Sequence, residues 1–130
     1  MSKITVIGAG SVGATIANDL MIQGTASEIV LVDINKQKAF GEALDIYQGA
    51  PFCSPAIVRS GDYEAAANSD IVIITSGLPR KPGQTRLDLL GRSIEMLKKL
   101  TVQLRPMALT CPVVSITNPA DIVADYLRKQ

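Results

Sequence analysis

Short apolar runs rich in β-branched residues alternate with segments of helical spacing along the whole 130-residue chain. Five runs predict strands: Ile4–Ile7, Glu28–Val32, Ile57–Arg59, Ile71–Thr75 and Val113–Ile116. The three longest are apolar at successive positions, which is typical of parallel strands that helices cover on both faces. The repeated strand–helix–strand order predicts an α/β fold with a doubly wound parallel sheet, the Rossmann fold, of about five strands.

Three segments between the predicted strands carry apolar residues at helical spacing. The first ends at Gly24, a suitable C-terminal cap, and one face consists of Val12, Ile16 and Leu20, with Ala17 and Met21 beside them. The second follows Asn35, a good N-cap, and its stripe consists of Ala39, Phe40, Ala43, Leu44 and Tyr47. The third is the longest, and its stripe consists of Leu87, Leu90, Ile94, Leu97, Leu100 and Leu104. The sequence therefore predicts three amphipathic helices packed on the sheet. Asn118, a good N-cap, and Pro119 begin a fourth helical segment that carries Ile122, Val123, Tyr126 and Leu127.

The overall composition limits what the chain can do. Hydrophobic residues make up 47% and charged residues 19%, which favours a compact core over disorder. The net charge of +1 gives no electrostatic reason to bind nucleic acid or an anionic membrane. The longest uncharged stretches, Ile4–Asn18 and Pro106–Ala120, have 15 residues each. A membrane-spanning helix needs about 20 apolar residues, so no membrane span is predicted.

The chain contains no histidine. It therefore lacks the commonest general acid and base at neutral pH, which is also the commonest metal ligand. Cys53 and Cys111 alone cannot supply the four ligands of a zinc site, so no metal site is predicted. Two isolated cysteines are typical of reduced thiols, and they predict a cytoplasmic location.

A glycine motif follows the first predicted strand and opens the first predicted helix. Its residues are Gly8, Ala9, Gly10, Ser11, Val12 and Gly13. An acid, Asp33, ends the second strand 20 residues after Gly13. In this context the G-x-G-x-x-G pattern indicates a dinucleotide-binding turn, where a pyrophosphate meets the positive end of a helix.

The residue types at these positions fit that chemistry. Gly8 permits a tight turn, Gly10 lets the backbone approach the pyrophosphate, and Gly13 lets the helix pack closely on the strand. Asp33 can accept both ribose hydroxyls and repels a 2′-phosphate, so the sequence predicts NAD rather than NADP. A flavin or a sugar nucleotide could use the same loop, and a turn with a strand-terminating acid remains the simplest structural alternative.

A basic loop follows the fourth predicted strand. It carries Arg80, Lys81 and Arg86, and two prolines and Gly83 prevent a continuous helix through it. Most such segments are solvated charged loops. Two arginines on a hinged loop at the ligand-binding edge of the sheet also suit a lid that closes on a small anionic substrate. The residues alone leave both interpretations open.

These motifs resemble the N-terminal, cofactor-binding half of the lactate/malate dehydrogenase family, over essentially all 130 residues. The segments that carry the resemblance are Gly8–Gly13, Asp33, Gly41–Asp45, Ala50–Phe52, Thr75–Gly77, Arg80–Leu90 and Ser115–Asp121. The resemblance implies that residues 1–130 form one NAD-binding domain. It also implies that Thr75, Ser76 and Gly77 contribute to the cofactor site.

The resemblance also implies roles in the reaction. Arg86 matches the loop arginine that polarises the substrate carbonyl, and Asn118 matches the asparagine that contacts substrate and nicotinamide. Arg80 lies at the position that discriminates substrates, where arginine goes with malate and glutamine with lactate. Malate and oxaloacetate are therefore the expected substrates, and L-lactate or another 2-hydroxy acid is the alternative. A homo-oligomer is expected, with the Ala39–Tyr47 helix at an interface between subunits.

The family's catalytic His–Asp pair and second domain correspond to positions beyond Gln130. We therefore expect the 130-residue chain to bind NAD without turning over substrate. A different class of protein also fits the glycine motif: a free-standing NAD-sensing regulatory module, such as those of potassium transporters. Such a module has no use for the arginine loop or for Asn118, which favours the dehydrogenase.

Overall fold

A computed structural model describes residues 2–53, 55–75, 82–107, 109–116, 125 and 127–129, apart from the side chain of residue 89. The strands are β1 (Lys3–Ile7), β2 (Glu28–Val32), β3 (Ile57–Ser60), β4 (Ile71–Ile74) and β5 (Val113–Ser115). The α-helices are α1 (Ser11–Gln23), α2 (Lys36–Tyr47) and α3 (Arg86–Leu104). Short 3₁₀ helices are formed by Ala50–Phe52, Tyr63–Ala66 and Arg105–Met107.

The five strands form one parallel sheet in the order β3-β2-β1-β4-β5. The α/β prediction of a doubly wound, five-stranded sheet is confirmed, and each predicted strand agrees with the structure to within one residue at each end. The chain moves outward from β1 through β2 to β3 and then returns to the other side of β1 with β4. The β1/β4 boundary is therefore the topological switch point, where open α/β sheets bind their ligands.

Apolar side chains pack on both faces of the sheet. One buried cluster joins residues of β1, β2 and β3 to α1 and α2, and includes Ile29, Leu31 and Met21. The other joins β2 and β4 to α3, and includes Val72, Ile74 and Leu97. Both faces of the central strands are buried, which explains their continuous apolar sequences.

Helix α1 packs on the sheet through the predicted flanking residues Ala17 and Met21, with Ile16 and Leu20 partly buried beside them. Its buried residues are Gly13, Ala17 and Met21, whereas Val12 is exposed. The small residues at positions 13 and 17 let the helix axis approach the sheet, so the buried face centres on them rather than on the larger apolar side chains. Gly24 caps the helix in the left-handed conformation, as predicted.

The predicted stripe of α2 divides between the core and the surface. Ala39 and Ala43 are buried against the sheet, together with Ile46. Phe40, Leu44 and Tyr47 are 60%, 47% and 44% exposed. The prediction of one buried stripe was therefore wrong for these three larger residues. Their spacing of four and three places them along one side of the helix, where they leave an apolar surface uncovered.

The helix ends follow the sequence in part. The Asn35 side chain accepts the Lys38 N–H at 3.1 Å, which confirms it as the N-cap of α2. Thr85 caps α3 in a reciprocal capping box with Asp88, which the sequence analysis did not identify. The predicted N-cap Asn118 lies outside the described residues. In the part of the chain that the structure describes, no helix is long and apolar enough to cross a membrane.

Candidate functional site

A cleft of about 920 Å³ lies at the carboxyl ends of the central strands. Its walls come from the β1–α1 turn, the end of β2, the start of α2, the Tyr63–Ala66 helix, the end of β4 and one face of α3. This size is in the range of ligand-binding clefts, and the location is the one expected for a doubly wound sheet. The cleft is therefore the candidate functional site.

The β1–α1 turn brings helix and strand unusually close. Gly8 has a φ of +109°, a conformation that side chains disfavour, and its N–H donates to the Val32 carbonyl at 2.7 Å. A Cβ added at Gly13 would lie 1.7 Å from the Gly8 carbonyl oxygen and 2.8 Å from Thr75 Oγ1. No side chain fits at position 13 without separating α1 from β1.

Gly10 differs from its two neighbouring glycines. Its φ of −74° and ψ of −170° are open to any residue, and a Cβ added there would meet no atom within 4 Å. The fold therefore does not require glycine at this position. Gly10 lines the cleft, and it precedes α1 as an N-cap without a side-chain hydrogen bond. The first N–H groups of α1 thus remain available to an anion, and the missing side chain leaves room for one.

The Asp33 carboxylate is held in one orientation beside this turn. Its Oδ2 accepts the Ala9 N–H at 2.7 Å, and its Oδ1 accepts the Asn35 N–H at 2.9 Å. A carboxylate has about four acceptor positions, so each oxygen retains capacity for a further donor. Asp33 is half-buried and lines the cleft, which presents two acceptor oxygens to a ligand. Ala9 is buried, and its N–H serves Asp33 rather than the open cleft.

Thr75 connects the ends of β4 and β1 at the switch point. Its hydroxyl lies 3.2 Å from the Ile7 carbonyl oxygen and 3.1 Å from the Gly8 carbonyl oxygen, to which it donates. The hydroxyl thus fixes the turn, while the residue also lines the cleft. The other predicted site residues after β4 and β5, namely Ser76, Gly77, Arg80 and Asn118, lie outside the described residues.

Arg86 lies apart from these groups. It is the first residue of α3, is exposed, and is absent from the residues that line the cleft. Ser11 and Val12 are also exposed, in the first turn of α1. The structure therefore brings Gly8, Gly10, Asp33 and Thr75 together and leaves Arg86 outside the cleft.

The sequence analysis missed several residues that line the cleft. Tyr63 is half-buried there, and burial, followed by the negative charge of Asp33, raises the pKa of its phenol above the ordinary value. The phenol is thus neutral at physiological pH and able to donate a hydrogen bond. Its position immediately after β3, at the same sheet edge as Asp33, is the signal that could have identified it. Other cleft residues without a motif are Lys36, Lys38, Asp62, Met96, Lys99 and Gln103.

The described part of the chain holds no candidate metal site. No group of three or more cysteine, aspartate or glutamate residues there could hold a metal ion. Cys53 and Cys111 are both free thiols.

The chain is similar to known proteins over almost its whole length. Residues 2–130 match the family described as lactate/malate dehydrogenase, NAD binding domain. The L-lactate dehydrogenase of Thermoanaerobacter sp. (strain X514) is 49% identical over 123 residues, which cover 95% of this chain and 40% of that protein. The L-lactate dehydrogenase of Acetivibrio thermocellus is 46% identical over 123 residues, covering 95% of this chain and 39% of that protein. The chain thus spans about 40% of the length of these curated relatives.

Solved structures of both lactate and malate enzymes have the same fold. A lactate dehydrogenase from a Medee basin deep-sea metagenome library superposes with a TM-score of 0.92 at 36% identity, over 98% of this chain and 41% of that chain. The malate dehydrogenase of Picrophilus torridus gives 0.90 at 39% identity, over 98% and 42%. The malate dehydrogenase of Archaeoglobus fulgidus, solved in complex with NADH, gives 0.89 at 36% identity, over 98% and 44%.

Proposed function

The chain belongs to the NAD-binding domain family of lactate and malate dehydrogenases, and from this premise we propose that it binds NAD in the cleft at the β1/β4 switch point. The observation that carries the proposal is the open space at Gly10, directly before the uncapped N-terminus of α1. The fold does not require glycine at position 10. A pyrophosphate that approaches the start of α1 does require it, because a side chain at this position would block the approach.

The other cleft residues complete this arrangement. Asp33 offers two oriented acceptor oxygens, which match the two adjacent hydroxyls of a ribose. Tyr63 offers a neutral phenol near Asp33, and Lys38 adds positive charge to the same wall. In this proposal Gly8, Gly13 and Thr75 shape the turn, while Gly10, Ser11 and Val12 surround the pyrophosphate. Ser76, Gly77 and Asn118 extend the site toward the nicotinamide, on the strength of the family resemblance.

We assign the chain to an NAD-dependent oxidoreductase acting on a 2-hydroxy acid. Bound NAD supplies the hydride acceptor, and NADH the hydride donor, for such a reaction. Arg86 is the candidate for polarising the substrate carbonyl. Arg86 is exposed at the start of α3 and outside the cleft, so this role requires it to move toward the substrate when substrate binds. Without histidine, these 130 residues lack an evident proton donor of suitable pKa, so we expect no turnover from them alone.

L-Lactate is the better supported substrate, since the curated relatives that match at 46–49% identity are L-lactate dehydrogenases. Malate is a second candidate because of Arg80, whose guanidinium suits the second carboxylate of oxaloacetate. A regulatory NAD-sensing module is the weakest alternative, since the family match extends over residues 2–130. We place the protein in the cytoplasm, in keeping with its two free thiols.

The cofactor proposal is tested by titrating NADH into the 130-residue chain and following nucleotide fluorescence. We expect saturable binding of NADH, weaker binding of NADPH, and no oxidation of NADH with either pyruvate or oxaloacetate. A chain that is folded by circular dichroism yet fails to bind NADH would refute the proposal. Asp33→Ala is the matched variant, and it should weaken NADH binding because the ribose loses its acceptors.

The substrate is tested in a chimera. The 130-residue chain replaces the matching segment of the Thermoanaerobacter L-lactate dehydrogenase, which supplies the remainder of that enzyme. The kcat/KM for pyruvate and the kcat/KM for oxaloacetate are measured under the same conditions, in the chimera and in its Arg80→Gln variant. Preference for pyruvate supports the lactate assignment. Preference for oxaloacetate that Arg80→Gln reverses supports malate instead.

We further propose that the exposed side of α2 contacts a second copy of the chain. Phe40, Leu44 and Tyr47 lie along one side of this helix, and Phe52, five residues after Tyr47, is 90% exposed. Contiguous apolar surface of this kind marks interaction sites in soluble proteins. Light scattering should show a dimer or larger assembly that Leu44→Lys dissociates, whereas Asp45→Lys, exposed on another side of the same helix, leaves the mass unchanged.

A further inference from the structure

An ion pair spans the cleft wall next to Asp33. Lys36 Nζ lies 3.0 Å from Asp62 Oδ1, and both residues line the cleft. Lys36 is the first residue of α2, three positions after Asp33, and Asp62 directly precedes the Tyr63–Ala66 helix. The pair therefore connects the two chain segments that border the proposed ribose site.

Folding stability alone does not account for this ion pair. The two side chains are 77% and 59% exposed, and exposed pairs of this kind contribute little to folding. Asp62 occupies the N-cap position of its 3₁₀ helix, yet its side chain makes no capping hydrogen bond. The carboxylate is turned to Lys36 instead. The main consequence of the pair is thus the charge that this wall presents to a ligand.

The charge matters for the 2′ position of a bound adenosine. A 2′-phosphate carries up to about two negative charges and is held in NADP-binding sites by a nearby cation. Lys36 has the charge and the flexible four-carbon stem to act as that cation. Its ammonium group is already neutralised by Asp62, however, and Asp62 adds a negative charge to the wall. A free 2′-hydroxyl is uncharged and gains or loses little from either residue.

We propose that Asp62, by holding Lys36 in this ion pair, is a second determinant of NAD over NADP selectivity beside Asp33. The inference rests on the proposed NAD site. Asp33 excludes the 2′-phosphate by direct repulsion, whereas Asp62 acts as a positioning residue that keeps the neighbouring cation from compensating. Two separate acids thus disfavour the same phosphate.

The test compares NADH affinity with displacement of bound NADH by NADP⁺, in the 130-residue chain and its variants. Asp62→Asn should improve the NADP⁺ inhibition constant about fivefold, the scale of one exposed ion pair. Its NADH dissociation constant should change less than about twofold, because the 2′-hydroxyl does not sense the pair. Asp62→Ser is a second variant in case the first folds poorly, as judged by circular dichroism.

Two controls separate this explanation from a general charge effect. Glu64→Gln removes another acid from the same cleft wall and should leave the ratio of the two constants unchanged. Lys36→Gln combined with Asp62→Asn should abolish most of the gain. Equal gains in Asp62→Asn and Glu64→Gln, a gain that persists without Lys36, or no displacement by NADP⁺ from any variant would overturn the inference. Failure of NADH itself to bind the wild-type chain would instead refute the proposed function.

Discussion

Substituting alanine for Gly10 should separate cofactor affinity from folding stability. Alanine adopts the φ of −74° and ψ of −170° without strain, and its Cβ meets no protein atom within 4 Å. Such a Gly→Ala change typically stabilises a protein by about 0.4–1 kcal/mol, because the unfolded chain loses conformational freedom. We therefore expect the melting temperature of Gly10→Ala to equal or slightly exceed that of the wild type.

The same methyl group should weaken cofactor binding. It occupies the open space before α1 and pushes the pyrophosphate away from the helix N–H groups. A hydrogen bond to a charged group contributes about 1.5–3 kcal/mol, so losing one such bond raises the NADH dissociation constant about 10–100-fold. The dissociation constant is measured by NADH fluorescence titration, and the melting temperature by differential scanning calorimetry.

Gly13→Ala is the matched control, because it adds the same methyl group between α1 and β1 rather than in the open space before the helix. Its Cβ would lie 1.7 Å from the Gly8 carbonyl oxygen, where ordinary contacts begin at 3.4 Å. Overpacking of this kind costs about 1–3 kcal/mol, and disturbing the Thr75 hydrogen bonds adds about 1 kcal/mol. For a chain of this length, that lowers the melting temperature by roughly 10–15 °C.

The two variants together can refute the reasoning. Wild-type NADH affinity in Gly10→Ala would show that the pyrophosphate does not approach the backbone at this position. A large loss of stability in Gly10→Ala would show that the space beside it is not open. A wild-type melting temperature in Gly13→Ala would contradict the close contact between α1 and β1.

Two further predictions concern Thr85 and Tyr63. Thr85→Ala removes the oxygen that accepts the Asp88 N–H at 3.2 Å, and we expect urea denaturation to show a loss of about 1 kcal/mol, which Thr85→Ser largely restores. The Tyr63 pKa is raised above 10.0 by burial and by the charge of Asp33, so its folded phenol stays protonated at a pH where the unfolded phenol ionises. Stability should thus fall as pH rises above 10.0, and Tyr63→Phe should reduce that fall.

Each of these two predictions can be contradicted by a specific result. Unchanged urea stability in Thr85→Ala would show that the capping box contributes nothing to α3. Ultraviolet absorbance at high pH reports tyrosine ionisation directly, and the chain has three tyrosines. Loss in Tyr63→Phe of a component that ionises below pH 10.0 would contradict the raised pKa of Tyr63.

The order and type of the elements could be predicted from the sequence because each signal is local. β-Branched runs, glycine and asparagine caps and the spacing of Leu97, Leu100 and Leu104 depend on neighbours within a few residues. The glycine motif and Asp33 were likewise recognisable, since a fixed backbone turn demands fixed residue types at fixed spacing. The cleft at the end of β1 follows from those local rules and from the parallel order of the strands.

Tertiary structure decided which side chains share the cleft and which faces are buried. Tyr63 and Asp62 follow β3, and only the sheet order brings them beside Asp33 and Lys36. The buried face of α1 centres on Gly13 and Ala17 because small residues allow close packing, which apolar periodicity alone does not reveal. Phe40 and Leu44 have the helical spacing of core residues, yet they are exposed because the sheet beneath α2 is already covered by smaller side chains. Each of these features depends on packing between residues that are far apart in the sequence. Patterns within a few neighbouring residues therefore do not predict them.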